Sequence, residues 1–235
     1  MTGILLILII VLLLMPIASS DTIASENAFN ATNLSAENRS WKAEEVFDFP
    51  KDHVLHQPQE VVTNAKLFAE WLYWTGVLHD EETGKPYGIQ YTLFQMDLQP
   101  GLMAFINHVA ISDVYNSQHP LYGYSILPEQ ANITSGTDGN KGAYWRYEDN
   151  QTNLTYWSSL DSWNIETRGS ASVGSGKSQT ISMNLTIAND KADYHLQSPN
   201  GITELGTCLS FGSDAMAGRS YYYSHPAMTT SGTIT

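Results

Sequence analysis

Residues Thr180 to Ile187 read TISMNLTI, and this stretch decides the fold class. Ile181, Met183, Leu185 and Ile187 occupy alternate positions, with Ser182, Asn184 and Thr186 between them. A period of two is the repeat of a β-strand, whose successive side chains point to opposite faces. The apolar set therefore turns to a core and the polar set to water, as in a half-buried antiparallel strand. Asn184, which opens an N-x-[ST] sequon, falls on the solvent side.

Working outward, the same signal recurs. Glu70 to Leu78 and Tyr87 to Phe94 are aromatic-rich runs joined by His79-Asp80-Glu81-Glu82-Thr83-Gly84-Lys85-Pro86. Charged residues with a Gly and a Pro between two such runs predict a hairpin. Leu102 to Asp113 predicts a third strand, with a loop around Asn116 to Pro120. Shorter strands are expected at Ala143 to Tyr147, Leu154 to Trp157, Trp163 to Thr167, Tyr194 to Gln197 and Ser220 to Ser224. Ser170 to Ser178 (SASVGSGKS) has the composition of a loop. Only Val61 to Phe68 has room for a turn or two of helix. Short strands with Gly- and Asn-rich turns predict an all-β protein, an antiparallel barrel or sandwich.

The N-terminus is different. Ile4 to Leu14 is an unbroken aliphatic run, ILLILIIVLLL, and small residues follow at Ala18-Ser19-Ser20. The run is shorter than the roughly 20 residues of a spanning helix and fits a signal peptide, or an anchor if retained. Residues 1–20 are read so, and residues 21–46 as a flexible spacer rich in Ser, Ala, Asn and Thr. The β domain is expected over 47–235. Export agrees with sequons at Asn30, Asn33, Asn38, Asn132, Asn150, Asn153 and Asn184, since such sites are used only on exported chains. Cys208 is the only cysteine, so no internal disulfide can form and stability must come from packing. The formal charge of −13 disfavours nucleic acid and anionic lipid as partners. Membrane contact is expected only through the N-terminal segment.

Three clusters could carry chemistry. Asp52, His53 and His56 lie close together in Phe49-Pro50-Lys51-Asp52-His53-Val54-Leu55-His56. Imidazole and carboxylate suit zinc or iron, but a Pro-led loop does not fix metal ligands. The favoured reading is a capped turn with His56 at the surface and no metal. In Glu70-Trp71-Leu72-Tyr73-Trp74, a strand puts Glu70 on the face of Leu72 and Trp74. Such a carboxylate either is drawn inward toward acid–base use or takes hydrogen bonds at a strand start, and the second is favoured. In Asn107-His108-Val109-Ala110-Ile111-Ser112-Asp113, Val109 and Ile111 read as core. His108 shares the other face with Ala110 and Ser112, where it lines a cavity or meets a bulky partner. No G-x-S-x-G, H-E-x-x-H, P-loop or paired C-x-x-C is present, which removes the usual support for hydrolase, zincin and nucleotide readings.

Taken in order, these segments resemble the AttH-like family, which includes hydroxyneurosporene synthase (the carotenoid hydratase) and lipocalin-like fungal Diels–Alder cyclases. The segments are F-P-x-D-H-x-x-H, E-W-x-Y-x-T-G-x-L, G-x-Q-x-T-x-F, H-x-A-I-S-D and finally Tyr222-Tyr223-Ser224 with Pro226. The resemblance runs from about Phe47 to the end, with Leu121 to Ala215 matched by strand rhythm alone. It implies two lipocalin-like barrels side by side, of which this chain supplies the first, and an apolar pocket for a lipid- or polyene-like molecule. The pocket residues it implies are Glu70, Trp71, Tyr73, His108, Asp113, Tyr222 and Tyr223, with no cofactor. Gln95 stands where many members have Arg, and His225 and Ala227 depart from an Arg-Pro-Arg pattern, which weakens the case for a charged ligand group.

The expectation is therefore an exported lipocalin-like binder of an apolar small molecule. Two alternatives stand beside it. One is a family-type enzyme, hydratase, isomerase or hydrolase, whose acidic W-x-D-bearing half lies beyond Thr235. The other is a structural glycosylated envelope protein. The tail from Thr229 is expected to supply a late strand that helps close the first barrel.

Overall fold

The computed structural model describes residues 47, 49–56, 69–99, 102–173, 177–189, 194–197, 201–204 and 219–235. The N-terminal segment 1–20, the spacer 21–46, the stretch Val61 to Phe68 and the sequons at Asn30, Asn33 and Asn38 lie outside the described residues. Among the described residues no helix is long and apolar enough to cross a membrane.

The chain is mostly antiparallel β-sheet, as the alternation predicts. The strands are β1 (Ala69–His79), β2 (Pro86–Gln99), β3 (Leu102–Asp113), β4 (Leu121–Ile126), β5 (Asn132–Asp138), β6 (Gly142–Glu148) and β7 (Thr152–Trp157). They continue with β8 (Ser162–Ser172), β9 (Ser178–Ala188), β10 (His195–Leu196), β11 (Ile202–Glu204), β12 (Arg219–Tyr221), β13 (Tyr223–Ser224) and β14 (Thr229–Ile234). The β1–β2 hairpin turns where predicted. Asp80 Oδ1 accepts the Thr83 amide at 2.7 Å, and Gly84 takes a φ of 69°, a left-handed conformation that glycine adopts without steric cost.

Ten strands form one sheet in the order β1-β2-β3-β4-β8-β7-β6-β5, with β9 on the other side of β8 and β14 on β9. β8 is the junction. Its residues 162–167 pair with β7, while its far end meets β4 only at Leu121↔Ser172. The sheet thus folds into two halves that face each other.

The pairing register lines up the apolar residues. One row crosses five strands as Ile133, Tyr147, Leu154, Ile165 and Leu185. The next row carries Trp145, Tyr156, Trp163 and Ile187. Opposite them stand Leu72, Trp74, Tyr91, Leu93, Phe105, Val109 and Ile111. The halves meet through Phe105 on Tyr147 at 5.2 Å between ring centroids and Trp74 on Trp163 at 4.8 Å. In β9 all four residues of the alternating apolar set are buried, while Asn184 and Thr186 are exposed.

A polar chain runs through this core. Tyr91 donates to Asn107 Oδ1 at 2.8 Å, Asn107 Nδ2 donates to Tyr147 at 3.2 Å, and Tyr147 donates to Asp149 Oδ2 at 2.6 Å. Tyr124 also donates to Asp149 and bonds Thr152, which bonds Thr167, which bonds Tyr122. Each member is buried or half-buried and each has a partner, as a polar group removed from water requires.

Three expectations are corrected. β14 is a strand, but it pairs with β9 rather than returning to β1, so among the described strands the sheet is open and sandwich-like. The free edge of β9 offers β14 a continuation of its buried row, with Ile234 and Met228 packed on the core. Gly232 makes the approach feasible, since a Cβ there would lie 2.0 Å from Asn184 O. Second, Tyr221 to Ser224 does not join the main sheet. β12 pairs with β11 and β13 with β10, as two small sheets. Third, the Ser170 to Ser178 loop is tighter than expected: β8 continues to Ser172 and β9 starts at Ser178. β4 and β5 were not anticipated, because LYGYSI and NITSGTD mix Gly, Ser and Thr and carry little apolar alternation.

Candidate functional site

The segment Phe49–His56 enters by a 3-10 turn over Lys51–His53 and lays two histidines against the sheet. His56 is held from both sides. Its Nδ1 lies 2.6 Å from Glu70 Oε1 and its Nε2 lies 2.8 Å from Asp52 Oδ1. Its backbone amide donates to Glu70 Oε2 at 2.7 Å. Carboxylates only accept, so both ring nitrogens must donate, and His56 is an imidazolium. The hydrogen bond to Glu70 is the main cause that raises its pKa to about 9, against the opposing effect of burial. His56 is therefore a half-buried ionic pin rather than a surface residue, and Glu70 is the hydrogen-bonded strand-start carboxylate.

His53 has the opposite environment. It is 4% exposed, stacked on Phe49 at 4.4 Å and edge-on to His225 at 5.1 Å. Burial outweighs the attraction of Asp161 and lowers its pKa to about 4. Its tautomer follows from its partners. Tyr223 spends its proton on Asp52 O at 2.9 Å, so its oxygen must accept from His53 Nδ1 at 2.8 Å. Nε2 is then left to accept the Tyr194 hydroxyl at 3.1 Å. Tyr156 and Asn189 hold the Asp161 carboxylate nearby, at 2.9 and 2.7 Å. Burial pushes the Tyr223 phenol well above its usual range, so it stays protonated. His225 Nε2 is buried with no hydrogen-bond partner among the described residues.

A cavity of about 190 Å³ opens beside this cluster, lined by Gln95, Met103, Phe105, Pro128, Ala131 and Ile133. The register Glu70↔Gln95↔Phe105 places Gln95 on the core-facing side of β2, next to the His56 pin. Gln95 is 1% exposed, and its Nε2 donates to His56 O at 3.0 Å. The ionic pin thus fixes the amide that lines the cavity.

The other residues singled out in the sequence are dispersed. Trp71 and Tyr73 lie on the face opposite Glu70; Trp71 meets Phe94 at 6.3 Å, and the Tyr73 hydroxyl bonds that of Tyr222. Burial, with that bond added to it, raises the Tyr222 phenol to about 12. His108 is on the same face, with the bulky partner Phe94 at 5.4 Å. It crosses Gly123 so closely that a Cβ there would lie 2.9 Å from its Cδ2. The small residues Ala110 and Ser112 do leave a groove of about 180 Å³, but His108 does not line it. Asp113 is a turn residue: it accepts the Asn116 amide at 3.0 Å and side chain at 2.6 Å. These bonds lower its pKa, and it sits at the end of β3 remote from Glu70. Tyr223 joins His53.

Tyr194, Tyr156, Asp161 and Asp149 were not singled out in the sequence, because nothing local distinguishes them, and His225 stood out only as a departure from the family pattern. Gln95 was legible: Tyr91, Leu93 and Gln95 alternate on one face, and a Gln in a core position is a local anomaly. Among the described residues no group of three or more His, Cys, Asp or Glu side chains is placed to hold a metal ion. A family model described as AttH-like matches residues 40–235. Among curated proteins and among solved structures, nothing matches.

Proposed function

The chain belongs to the AttH-like family, and from that premise we propose that it is an exported lipocalin-like protein that binds a small apolar molecule in the cavity beside Gln95. The cavity carries this reading. Five of its six described lining residues, Met103, Phe105, Pro128, Ala131 and Ile133, are apolar, and one amide is positioned among them. That is the composition of a small-molecule site. Its volume of about 190 Å³ compares with the roughly 150 Å³ apolar cavity that accepts benzene. Both nitrogens of His53 meet tyrosine hydroxyls and both of His56 meet carboxylates, so these two imidazoles are engaged within the protein.

The test is titration with the neutral fluorophore N-phenyl-1-naphthylamine. The wild type should enhance its emission, and Ala131→Phe, which fills the cavity from its rim, should remove that enhancement without lowering the melting temperature. Equal enhancement by both proteins, or none by the wild type, would exclude this cavity as the site.

Export belongs to the same proposal, on the strength of the aliphatic run at Ile4 to Leu14. Asn132, Asn150 and Asn184 are exposed, whereas Asn153 is half-buried and accepts the Thr155 hydroxyl at 3.1 Å. Expressed in a glycosylating host, the protein should have an intact mass corresponding to a chain that starts near Asp21 and carries a glycan on at least one exposed asparagine. An uncut chain bearing no glycan would contradict this.

A further inference from the structure

The register of the sheet gathers sequons that the chain keeps apart. Asn132, Glu148, Asn153, Glu166, Asn184 and Thr233 pair in turn across β5, β6, β7, β8, β9 and β14, and so form one row. Thr134, Thr155 and Thr186 stand in the adjacent row, with Arg146 and Asn164 between them. They are the threonines of the same three sequons. The residue inside each sequon, Ile133, Leu154 or Leu185, packs in the core, so its asparagine and threonine both point outward. The three sequons are not equivalent. Asn132 and Asn184 are exposed. Asn153, between them in the row, is half-buried, and its Oδ1 accepts the Thr155 hydroxyl at 3.1 Å. Thr155 is buried, and Arg146 Nε donates to its Oγ1 at 3.1 Å.

We propose that the outer side of β5 to β9 is a glycan-bearing face, with N-linked oligosaccharides on Asn132 and Asn184 and none on Asn153. This rests on the reading of the chain as exported. In the transfer, the asparagine Nδ2 bonds to the anomeric carbon of a lipid-linked diphosphate oligosaccharide. The bond from that carbon to the phosphate oxygen breaks, the lipid diphosphate leaves and one amide proton is released. Asn132 and Asn184 lie four strand spacings apart, about 19 Å, so each has room for a bulky, hydrated group that stands off the sheet into water. At Asn153 the sugar would emerge between the side chains of β6 and β8. It would displace Arg146 and break the bonds that tie Arg146, Thr155 and Asn153 together. A chain modified there folds less readily, so the folded, secreted protein lacks that glycan. The two glycans that remain keep this face in solvent.

The test is a site-by-site map of the full chain secreted from a eukaryotic host. Peptide N-glycosidase in heavy-oxygen water converts each glycan-bearing asparagine to a labelled aspartate, which mass spectrometry locates. Asn132 and Asn184 should be labelled and Asn153 should not. Asn132→Gln and Asn184→Gln should each lose the mass of one glycan, whereas Asn153→Gln should lose none. A label at Asn153, or an unlabelled Asn132 or Asn184, would overturn the proposal. If Asn30, Asn33, Asn38 or Asn150 is labelled in that case, export stands and only the assignment of the face fails. If no asparagine is labelled and the chain is retained in the cell, the reading of export fails and the glycan-bearing face falls with it. The decisive map is made on the wild type, so a variant that folds poorly would not rescue the proposal.

Discussion

Asp149→Ala should lower the melting temperature by about 10 °C, the largest loss expected of any single substitution outside the apolar rows. Asp149 receives the Tyr147 hydroxyl on Oδ2, and on Oδ1 the amides of Gln151 at 2.7 Å and Thr152 at 2.8 Å. Tyr124 donates to both oxygens. Burial pushes the Tyr147 and Tyr124 phenols far above their usual range, so both remain donors that need an acceptor. Alanine strands the Tyr147 proton, leaves the Tyr124 hydroxyl only Thr152 as a partner and unties the turn into β7. Each buried donor left unsatisfied costs about 1–3 kcal/mol, and the chain of bonds from Tyr91 to Tyr122 is interrupted at its middle. Asp149→Asn should cost less, because its carbonyl oxygen can still hold the turn amides while its NH₂ faces a phenol. Thermal melting followed by near-ultraviolet circular dichroism measures both. An alanine variant that melts within about 2 °C of wild type would show that the network is not a structural element.

His56 should make stability fall as the solution becomes alkaline. Its folded pKa of about 9 lies above the 6.5 of a free histidine, so the folded state binds the proton more tightly. The contribution is fully present below pH 6.5, shrinks between 6.5 and about 9, and is lost above about 9. The raised pKa corresponds to about 2 kcal/mol once solvent at the site is allowed for, since its side chain is 18% exposed and those of Asp52 and Glu70 are 17% and 21% exposed. His56→Gln should therefore be less stable than wild type at pH 6 and converge with it by pH 10. The comparison cancels the titration of groups common to both proteins. A difference in unfolding free energy that stays constant from pH 6 to pH 10 would show that the imidazolium contributes nothing. The same variant should loosen the Gln95 amide, because the carbonyl that holds it belongs to the pinned residue.

The strands were legible wherever polar and apolar residues alternate cleanly. β9, β3 and the β1–β2 hairpin appear at their expected places, β9 and β3 with their expected faces inward. β4 and β5 were hidden because each buries few side chains of its own. Tyr122 and Ile133 pack onto apolar rows supplied by other strands. The site was legible only in part. Glu70, Tyr223 and the Asp52-His53-His56 group do gather in one place, but Trp71, Tyr73 and His108 lie on the opposite face. Asp113 caps a turn. The segment signature marks them together along the chain, whereas the pleat of a strand divides neighbours between two sides.

By itself, the sequence determined the antiparallel β class, the buried faces of β3 and β9 and the position of the β1–β2 hairpin turn. Those properties depend on the period-two pattern and on turn residues a few positions apart, so short-range geometry suffices. Tertiary structure alone decided which free edge each strand takes, as β14 shows by choosing β9. It also decided which polar groups meet. His53 finds Tyr194 at a separation of 141 residues and becomes a neutral imidazole, while His56, three places further along, finds two carboxylates and becomes a cation. Two identical side chains in one short segment acquire opposite charge states because burial and partners, which only the folded chain assembles, set the energy of the proton.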